Sequence, residues 1–279
     1  MQNEGKLADF LSALGLDEEP MGVIWTDEEP PNCISPKAQK PVSREAEEKG
    51  EIDWASIQEN YACVLGIIWR ARKKSSAACF DRERFGCLGG VFYLGFMKPY
   101  LNMHPPFIST GIPGIIEGEL YAQSPEAAKE FFDAIDPPPA PAKYCVIKPL
   151  SHFKNDETPI IVIFFARPEV ISGLKGLTAF VTKDIDSVRT PFGPGCSDIV
   201  TWPAKYLKDK KEYAVLGGFD PSCRKFLKTD EMTFAVPYSL YQKMLDLWDK
   251  SFLTTDTWKL VKKKIERSKK TWGEGAKKA

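Results

Sequence analysis

Pro159-Ile160-Ile161-Val162-Ile163-Phe164-Phe165 is an unbroken apolar run in which every residue after the proline is β-branched or aromatic. A run of this length and type reads as a strand buried on both faces at the centre of a sheet. Pro20-Met21-Gly22-Val23-Ile24-Trp25 repeats the pattern, an opening proline followed by a short apolar segment. Each run is followed at a distance by a cysteine ahead of a helical segment (Cys63, Cys196), then a strand (75–80, 212–219), then a cysteine in a turn (Cys87, Cys223). The intervals are similar, 24 residues from Cys63 to Cys87 and 27 from Cys196 to Cys223.

This parallel predicts an α+β protein of two similar α/β halves, an internal duplication packed as one compact unit. The first half, 1–120, carries an acidic insertion over 27–53 and the Cys87 glycine turn. The second, 121–279, carries the Cys196 and Cys223 turns and the C-terminal helices. Helical spacing is expected over 3–14. It recurs where Ile57, Tyr61, Val64, Leu65 and Ile68 share one face. Ser124-Pro125-Glu126 supplies a cap, a first-turn proline and an early acid for a helix to about Ile135. Further helices are predicted over 169–177, 237–249 and 255–269, whereas the Pro- and Gly-rich segment 97–118, which holds His104, is expected to be irregular.

The 279 residues are 43% hydrophobic and 27% charged, enough apolar material for a large globular core. With 38 basic and 38 acidic side chains there is no global field to attract nucleic acid. Charge is uneven locally: residues 1–60 hold 14 acids against 5 bases, and 259–279 hold 9 bases against 2 acids. Both read as solvated ends before they read as binding surfaces. No apolar stretch approaches the roughly 18 residues of a membrane span, and the first residues lack a signal-like pattern. The expected location is the cytoplasm, with no membrane partner. There the seven cysteines would be reduced, and their odd number argues against full disulfide pairing.

Phe85-Gly86-Cys87-Leu88-Gly89-Gly90 presents a thiol between glycines, which permit tight backbone conformations and close approach. Pro194-Gly195-Cys196 and Asp220-Pro221-Ser222-Cys223-Arg224-Lys225 are two further thiol-bearing turns. If the halves pack symmetrically, Cys63, Cys87, Cys196 and Cys223 converge at their interface.

The chain resembles the family known as domain of unknown function 169, found mainly in archaea and anaerobic bacteria. The likeness rests on the Leu14-Gly15-Leu16 to Val23 opening, Cys87-Leu88-Gly89-Gly90, and Lys148-Pro149-Leu150 before the 159–165 strand. It continues in Gly195-Cys196-Ser197-Asp198, Ser222-Cys223-Arg224, and Asp230-Glu231-Met232 followed by Ala235-Val236-Pro237. The acidic insertion after Trp25 and the lysine-rich tail depart from it. The family carries no assigned activity, so the resemblance selects residues without naming a reaction.

Three chemistries stay open. Four thiolates from Cys63, Cys87, Cys196 and Cys223 suit a [4Fe–4S] cluster or zinc, with a redox or regulatory role and a redox partner, although no Cys-x-x-Cys pair is present. Gly86, Gly89, Gly90 and Arg224 would then line the cofactor. Alternatively a single thiol is reactive: Cys223 beside Arg224 and Lys225, or Cys87 near Arg82 and Arg84, with a lowered pKa. The third reading is a non-catalytic small-molecule site with an aromatic pocket drawn from Tyr93, Phe96, Tyr100, Phe107 and Trp202. The Cys87 turn lacks both phosphate-loop patterns, which argues against nucleotide binding.

Overall fold

A computed structural model describes residues 2–272. The chain runs α1 (Gln2–Leu14), β1 (Met21–Thr26), α2 (Arg44–Glu48), α3 (Trp54–Glu59), α4 (Val64–Lys73), β2 (Ala78–Phe80), α5 (Leu88–Tyr93) and α6 (His104–Ile108). It continues through β3 (Gly111–Ile112), β4 (Ile116–Glu117), α7 (Pro125–Ile135), β5 (Tyr144–Pro149), β6 (Ile161–Ala166) and α8 (Pro168–Thr182). The last elements are β7 (Val188–Arg189), a π-helical turn (Ser197–Thr201) leading into α9 (Trp202–Lys208), β8 (Ala214–Gly217), β9 (Met232–Pro237), α10 (Tyr238–Leu247) and α11 (Asp256–Trp272). Cys223 lies in a 3-10 segment, Pro221–Phe226, between β8 and β9.

Seven strands form one mixed sheet in the order β2-β5-β1-β6-β9-β8-β7, and β3 and β4 form a separate hairpin. The two apolar runs are its central neighbours: Met21 lies opposite Ile163, Gly22 opposite Val162 and Val23 opposite Ile161, antiparallel. On one side β1 pairs with β5, placing Met21 opposite Pro149 and Val23 opposite Ile147. On the other β6 pairs with β9, placing Ile161 opposite Pro237 and Ile163 opposite Ala235. Outside these, Ala78 lies opposite Ile147, and Val215 opposite Ala235. Residues 144–149, which a division at 120 places in the second half, thus pair with the first half's β1 and β2.

Alternate residues of the central strands face two different layers. Val162, Phe164, Phe234 and Val236 pack against Phe10, Leu14, Leu174, Leu240 and Met244, so α1, α8 and α10 cover one face. Ile161, Ile163, Phe165 and Ala235 belong to the opposite core with Val64, Leu65, Ile68, Val91, Cys196, Ile199 and Cys223. Helices on both faces explain why the 160–165 run is apolar without alternation.

A bidentate ion network spans the two halves within this second layer. The Arg72 guanidinium, 6% exposed, holds Glu18 at 2.6 and 2.8 Å and Glu231 at 2.8 and 3.0 Å, and lies 3.8 Å over the Phe165 ring.

One predicted helix differs in form. The stripe from Ile57 to Ile68 is two helices, because the chain leaves α3 at Asn60 and restarts with Cys63 as the N-cap of α4. Tyr61 therefore lies in the connection and is 59% exposed. The 97–118 segment, expected to be irregular, contains α6 and the β3–β4 hairpin. Among the described residues no helix is long and apolar enough to cross a membrane.

Candidate functional site

Cys63 and Cys87 both occupy N-cap positions, at the starts of α4 and α5. The two helix starts are tied together by the backbone, since the Ala62 N–H donates to the Gly86 carbonyl at 2.9 Å. Gly86 makes this approach possible. Its φ is +77°, and a Cβ there would stand 2.2 Å from the Ala62 oxygen. The Gly90 N–H donates to Cys87 Sγ at 3.2 Å, and the Val64 and Gly89 N–H groups are also directed at that sulfur. The Leu65 and Gly66 N–H groups lie near Cys63, whose side chain makes no cap hydrogen bond of its own. A cysteine that caps a helix meets amides otherwise left without partners.

Gly90 is required sterically as well: a Cβ would meet the Phe85 oxygen at 2.6 Å and Val64 Cγ2 at 2.9 Å. Gly89 is not, for its added Cβ finds only ordinary contacts beyond 3.5 Å. Of the residues proposed to line a cofactor, Arg224 is occupied elsewhere. Its guanidinium donates to the carbonyls of Gly218, Glu231, Lys228 and Thr229 at 2.6–3.1 Å, closing the segment between β8 and β9.

Cys196 and Cys223 are more buried, 6% and 1% exposed, and lie in turns that touch each other. Cys223 Sγ stands 2.8 Å from where a Cβ of Gly195 would project, so Gly195 leaves the space that lets the two turns meet. Asp220 fastens them, accepting from the Gly195 N–H at 3.0 Å and from Ser222 N and Oγ at 2.8 and 3.0 Å. Leu65 Cδ2 lies 3.3 Å from the same virtual Cβ, bringing the first turn of α4 against this second pair. All seven cysteines are free. Cys79 packs with Tyr144 and Val146 beside Cys33 in a separate cluster, whereas Cys145 lies in the same core layer as Cys196 and Cys223.

Electrostatic reach connects the four sulfurs through Cys63. Cys63 acts on Cys87, Cys196 and Cys223, and Cys87 acts on Cys196. Burial is the first cause that pushes every one of these thiols up, with neighbouring thiolate charge added at Cys87 and Cys196 and the Asp220 carboxylate at Cys223 and Cys63: Cys87 and Cys223 to about 12, Cys63 in the same direction, Cys196 well above its ordinary value. This corrects the expectation of a lowered pKa at Cys87 or Cys223. Arg84 is held by Asp81 and Glu29, and the cations beside Cys223 do not offset its desolvation. A thiol kept protonated at neutral pH is the opposite of an activated nucleophile.

His104 completes no Cys–His pair. His104 is buried, its Nδ1 accepting the Leu101 N–H at 3.0 Å and its Nε2 donating to the Leu88 carbonyl at 3.3 Å, and burial lowers its pKa to about 4. It packs in an aromatic cluster with Phe92 and Phe132. Phe96 and Tyr100, expected in a pocket, are core residues, Tyr100 stacking on Phe132 at 4.8 Å. Among the described residues no group of three or more His, Cys, Asp or Glu side chains is arranged to hold a metal ion. The four cysteines are therefore neighbours without a formed coordination sphere.

Asp198 is the residue that sequence reasoning passed over. It is 3% exposed, in the π-helical turn directly after Cys196, and lies so close over β8 that a Cβ at Gly217 would meet its carboxylate at 2.4 Å. Its Oδ2 accepts the Gly218 N–H at 3.3 Å, and its Oδ1 has no partner among the described residues. Burial, reinforced by Asp220 and opposed by the Gly218 amide, raises its pKa to about 8. Thr233 lies opposite Gly217 across the β8–β9 pair, so its side chain emerges on the same sheet face. Its hydroxyl, on a residue 1% exposed, is likewise unpartnered. The signal available in sequence was an acid set immediately before Ile199-Val200, two core residues.

No curated protein and no solved structure matches the chain significantly. The profile of one family spans residues 9–246, covering β1 and β6, all four cysteines and Asp198. The chain belongs to that family, DUF169, described as Uncharacterised ArCR.

Proposed function

We propose that Cys63, Cys87, Cys196 and Cys223 form a binding site for a thiophilic centre, a [4Fe–4S] cluster or a zinc ion, with a redox or regulatory role. The observation that carries this reading is convergence. Cys63, Cys196 and Cys223 belong to one core layer, and Cys63 lies within electrostatic reach of Cys87, Cys196 and Cys223, while Cys33 and Cys79 pack in a separate cluster. Backbone N–H groups directed at Cys63 and Cys87 are of the kind that stabilise and tune cluster sulfur ligands. Closure of the four cysteines around a metal would complete the coordination sphere, as metal binding commonly completes its own site.

The strand registers support an internal duplication as the origin of this site. Matching Met21 with Ile161 also matches Pro149 with Pro237, Ile147 with Ala235 and Ala78 with Val215, and the central pairing maps onto itself. Cys63 then corresponds to Cys196, each ahead of a helix, and Cys87 to Cys223, each after an outer strand. The Leu150 N–H bonds the Pro20 carbonyl at 3.1 Å where the Tyr238 N–H bonds that of Ile160 at 2.8 Å.

The test is anaerobic reconstitution with ferrous iron and sulfide, and separately with zinc, followed by metal and sulfide analysis. A cluster gives about four irons per chain and visible absorption, and zinc gives about one ion per chain without colour. The double variant C63S/C196S loses that stoichiometry, and C33S keeps it. Folded wild-type protein that takes up neither, or a folded double variant that loads like wild type, overturns the reading.

A further inference from the structure

Two cysteines outside the proposed metal site meet at the edge of the sheet. β2 is the outermost strand on its side, and the residues around Ile34 extend it in parallel through one bridge, Ile34 opposite Ala78. The Ile34 N–H donates to the Ala77 carbonyl at 2.7 Å, and the Cys79 N–H donates to the Ile34 carbonyl at 3.0 Å. This register sets Cys33 just before the bridge and Cys79 just after it, so both side chains emerge on the face opposite to Ile34 and Ala78. Cys33 Sγ lies 3.5 Å from Ser35 Oγ, and Ser35 stands across from Cys79, so the Cys33 thiol leans along the strand toward Cys79. The packing agrees. Cys33 and Cys79 share one small apolar cluster with Tyr144 and Val146, and their thiols are within hydrogen-bonding reach of each other. Cys79 is fully buried, whereas Cys33 is only half-buried.

We infer that Cys33 and Cys79 form an oxidisable dithiol, a modification site whose substrate is a low-molecular-weight disulfide. Cys33 is the thiol reached first from solvent. Its thiolate attacks one sulfur of the external disulfide, forming a mixed disulfide at Cys33 and expelling one small thiolate. The Cys79 thiolate then attacks the Cys33 sulfur, closes the Cys33–Cys79 bond and expels the second small thiolate. Two electrons pass from the dithiol to the external disulfide, and the two protons lost by the protein are matched by those taken up on the two small thiols. Burial holds the Cys79 thiol above its ordinary pKa, which makes the second step the slower one. The bond staples the start of the 27–53 excursion to β2. That excursion continues onto the turn that carries Cys87, where the Gln39 N–H donates to the Glu83 carbonyl at 2.9 Å and Pro36 Cγ lies 3.2 Å from where a Cβ of Gly86 would project. Oxidation therefore fixes a segment that packs against Gly86. The inference stands without the metal reading, since it uses none of Cys63, Cys87, Cys196 and Cys223.

Oxidised glutathione is the probe. Full-length protein is equilibrated with a series of oxidised-to-reduced glutathione ratios, quenched in acid, alkylated with N-ethylmaleimide and read by intact mass and peptide mapping. The expected result at excess oxidised glutathione is a crosslink joining the Cys33 and Cys79 peptides, with both thiols protected from alkylation and both restored by dithiothreitol. In C79S the same ratios leave glutathione attached to Cys33, because no second thiol displaces it. Wild-type protein in which Cys33 and Cys79 stay open to alkylation at every ratio overturns the proposal. So does a glutathione adduct that persists on wild-type Cys33 without a crosslink, or a crosslink from Cys33 to a cysteine other than Cys79. These three readings are made on wild-type protein, so none depends on a variant that fails to fold or on metal loading.

Discussion

The surroundings of Cys63 and Cys87 and those of Cys196 and Cys223 are built differently. The first are half-buried and organised by backbone: two helix starts, one inter-segment amide bond and Gly86 in a left-handed conformation. The second are buried and organised by carboxylates, Asp220 fastening the two turns and Asp198 pressed onto Gly217. A thiol held by amides meets fixed positive dipoles, whereas a thiol beside acids meets groups whose charge depends on pH. The same residue type therefore sits in two electrostatic settings, and perturbing each setting tests whether the distinction is real.

The largest effect is expected at the backbone-built pair. G86A must leave its left-handed φ or move the Ala62 carbonyl, and should destabilise the protein by about 3 kcal/mol or more. G89A, three residues along with open space and an ordinary φ, should change stability by less than about 1 kcal/mol and in the stabilising direction. Urea denaturation of the two variants measures the contrast. Equal effects would mean that the Ala62–Gly86 contact does not define this pair.

The carboxylate-built pair should show itself in pH dependence. Asp198 titrates near 8 when folded against an ordinary 3.8, so the folded chain retains a proton that the unfolded chain has released. Its effect on stability is therefore a progressive loss as pH rises from about 4 to about 8, up to about 1 kcal/mol per pH unit. His104 works in the opposite sense. Lowered from 6.5 to about 4, it resists protonation in the folded state, and stability is lost as pH falls from about 6.5 to 4. The two slopes oppose each other on the acid side, which leaves pH 6.5–8 as the window where Asp198 acts alone. The expected outcome is a falling stability across that window in wild-type protein and a flat one in D198N, measured by denaturation at fixed pH.

The smallest effect separates the pairs by access. Iodoacetamide at neutral pH should modify all four cysteines more slowly than a free model thiol, because each is held protonated, with Cys63 and Cys87 labelled before Cys196 and Cys223. Peptide mapping over time gives the order. Faster labelling of Cys223 would place it in an accessible, activated setting and contradict its burial.

Much of this arrangement was legible in the residues. The strand at 161–166, the Ser124 cap with its hydroxyl on the Ala127 N–H, and the stop of α1 at Gly15 all follow from local rules. The break between α3 and α4 was not legible, since Ile57 and Ile68 keep a helical period through a segment that tertiary packing bends at residues 60–63. Arg224 misled for a related reason. A cation next to a cysteine in sequence appears to be its electrostatic partner, but the guanidinium reaches across its own turn to four carbonyls.

By itself the sequence determined element types, the apolar centre of the sheet, and which residues could carry chemistry, because helix and strand periodicities and caps are encoded within a few neighbours. Only the tertiary structure decided that Cys63, Cys196 and Cys223 belong to one core layer, that Asp198 lies buried next to Gly217, and that the Trp25 indole N–H is buried without a partner among the described residues. Those facts depend on antiparallel pairing between strands some 140 positions apart in the chain, and the energy of such contacts lies in desolvation and close packing that no local window contains.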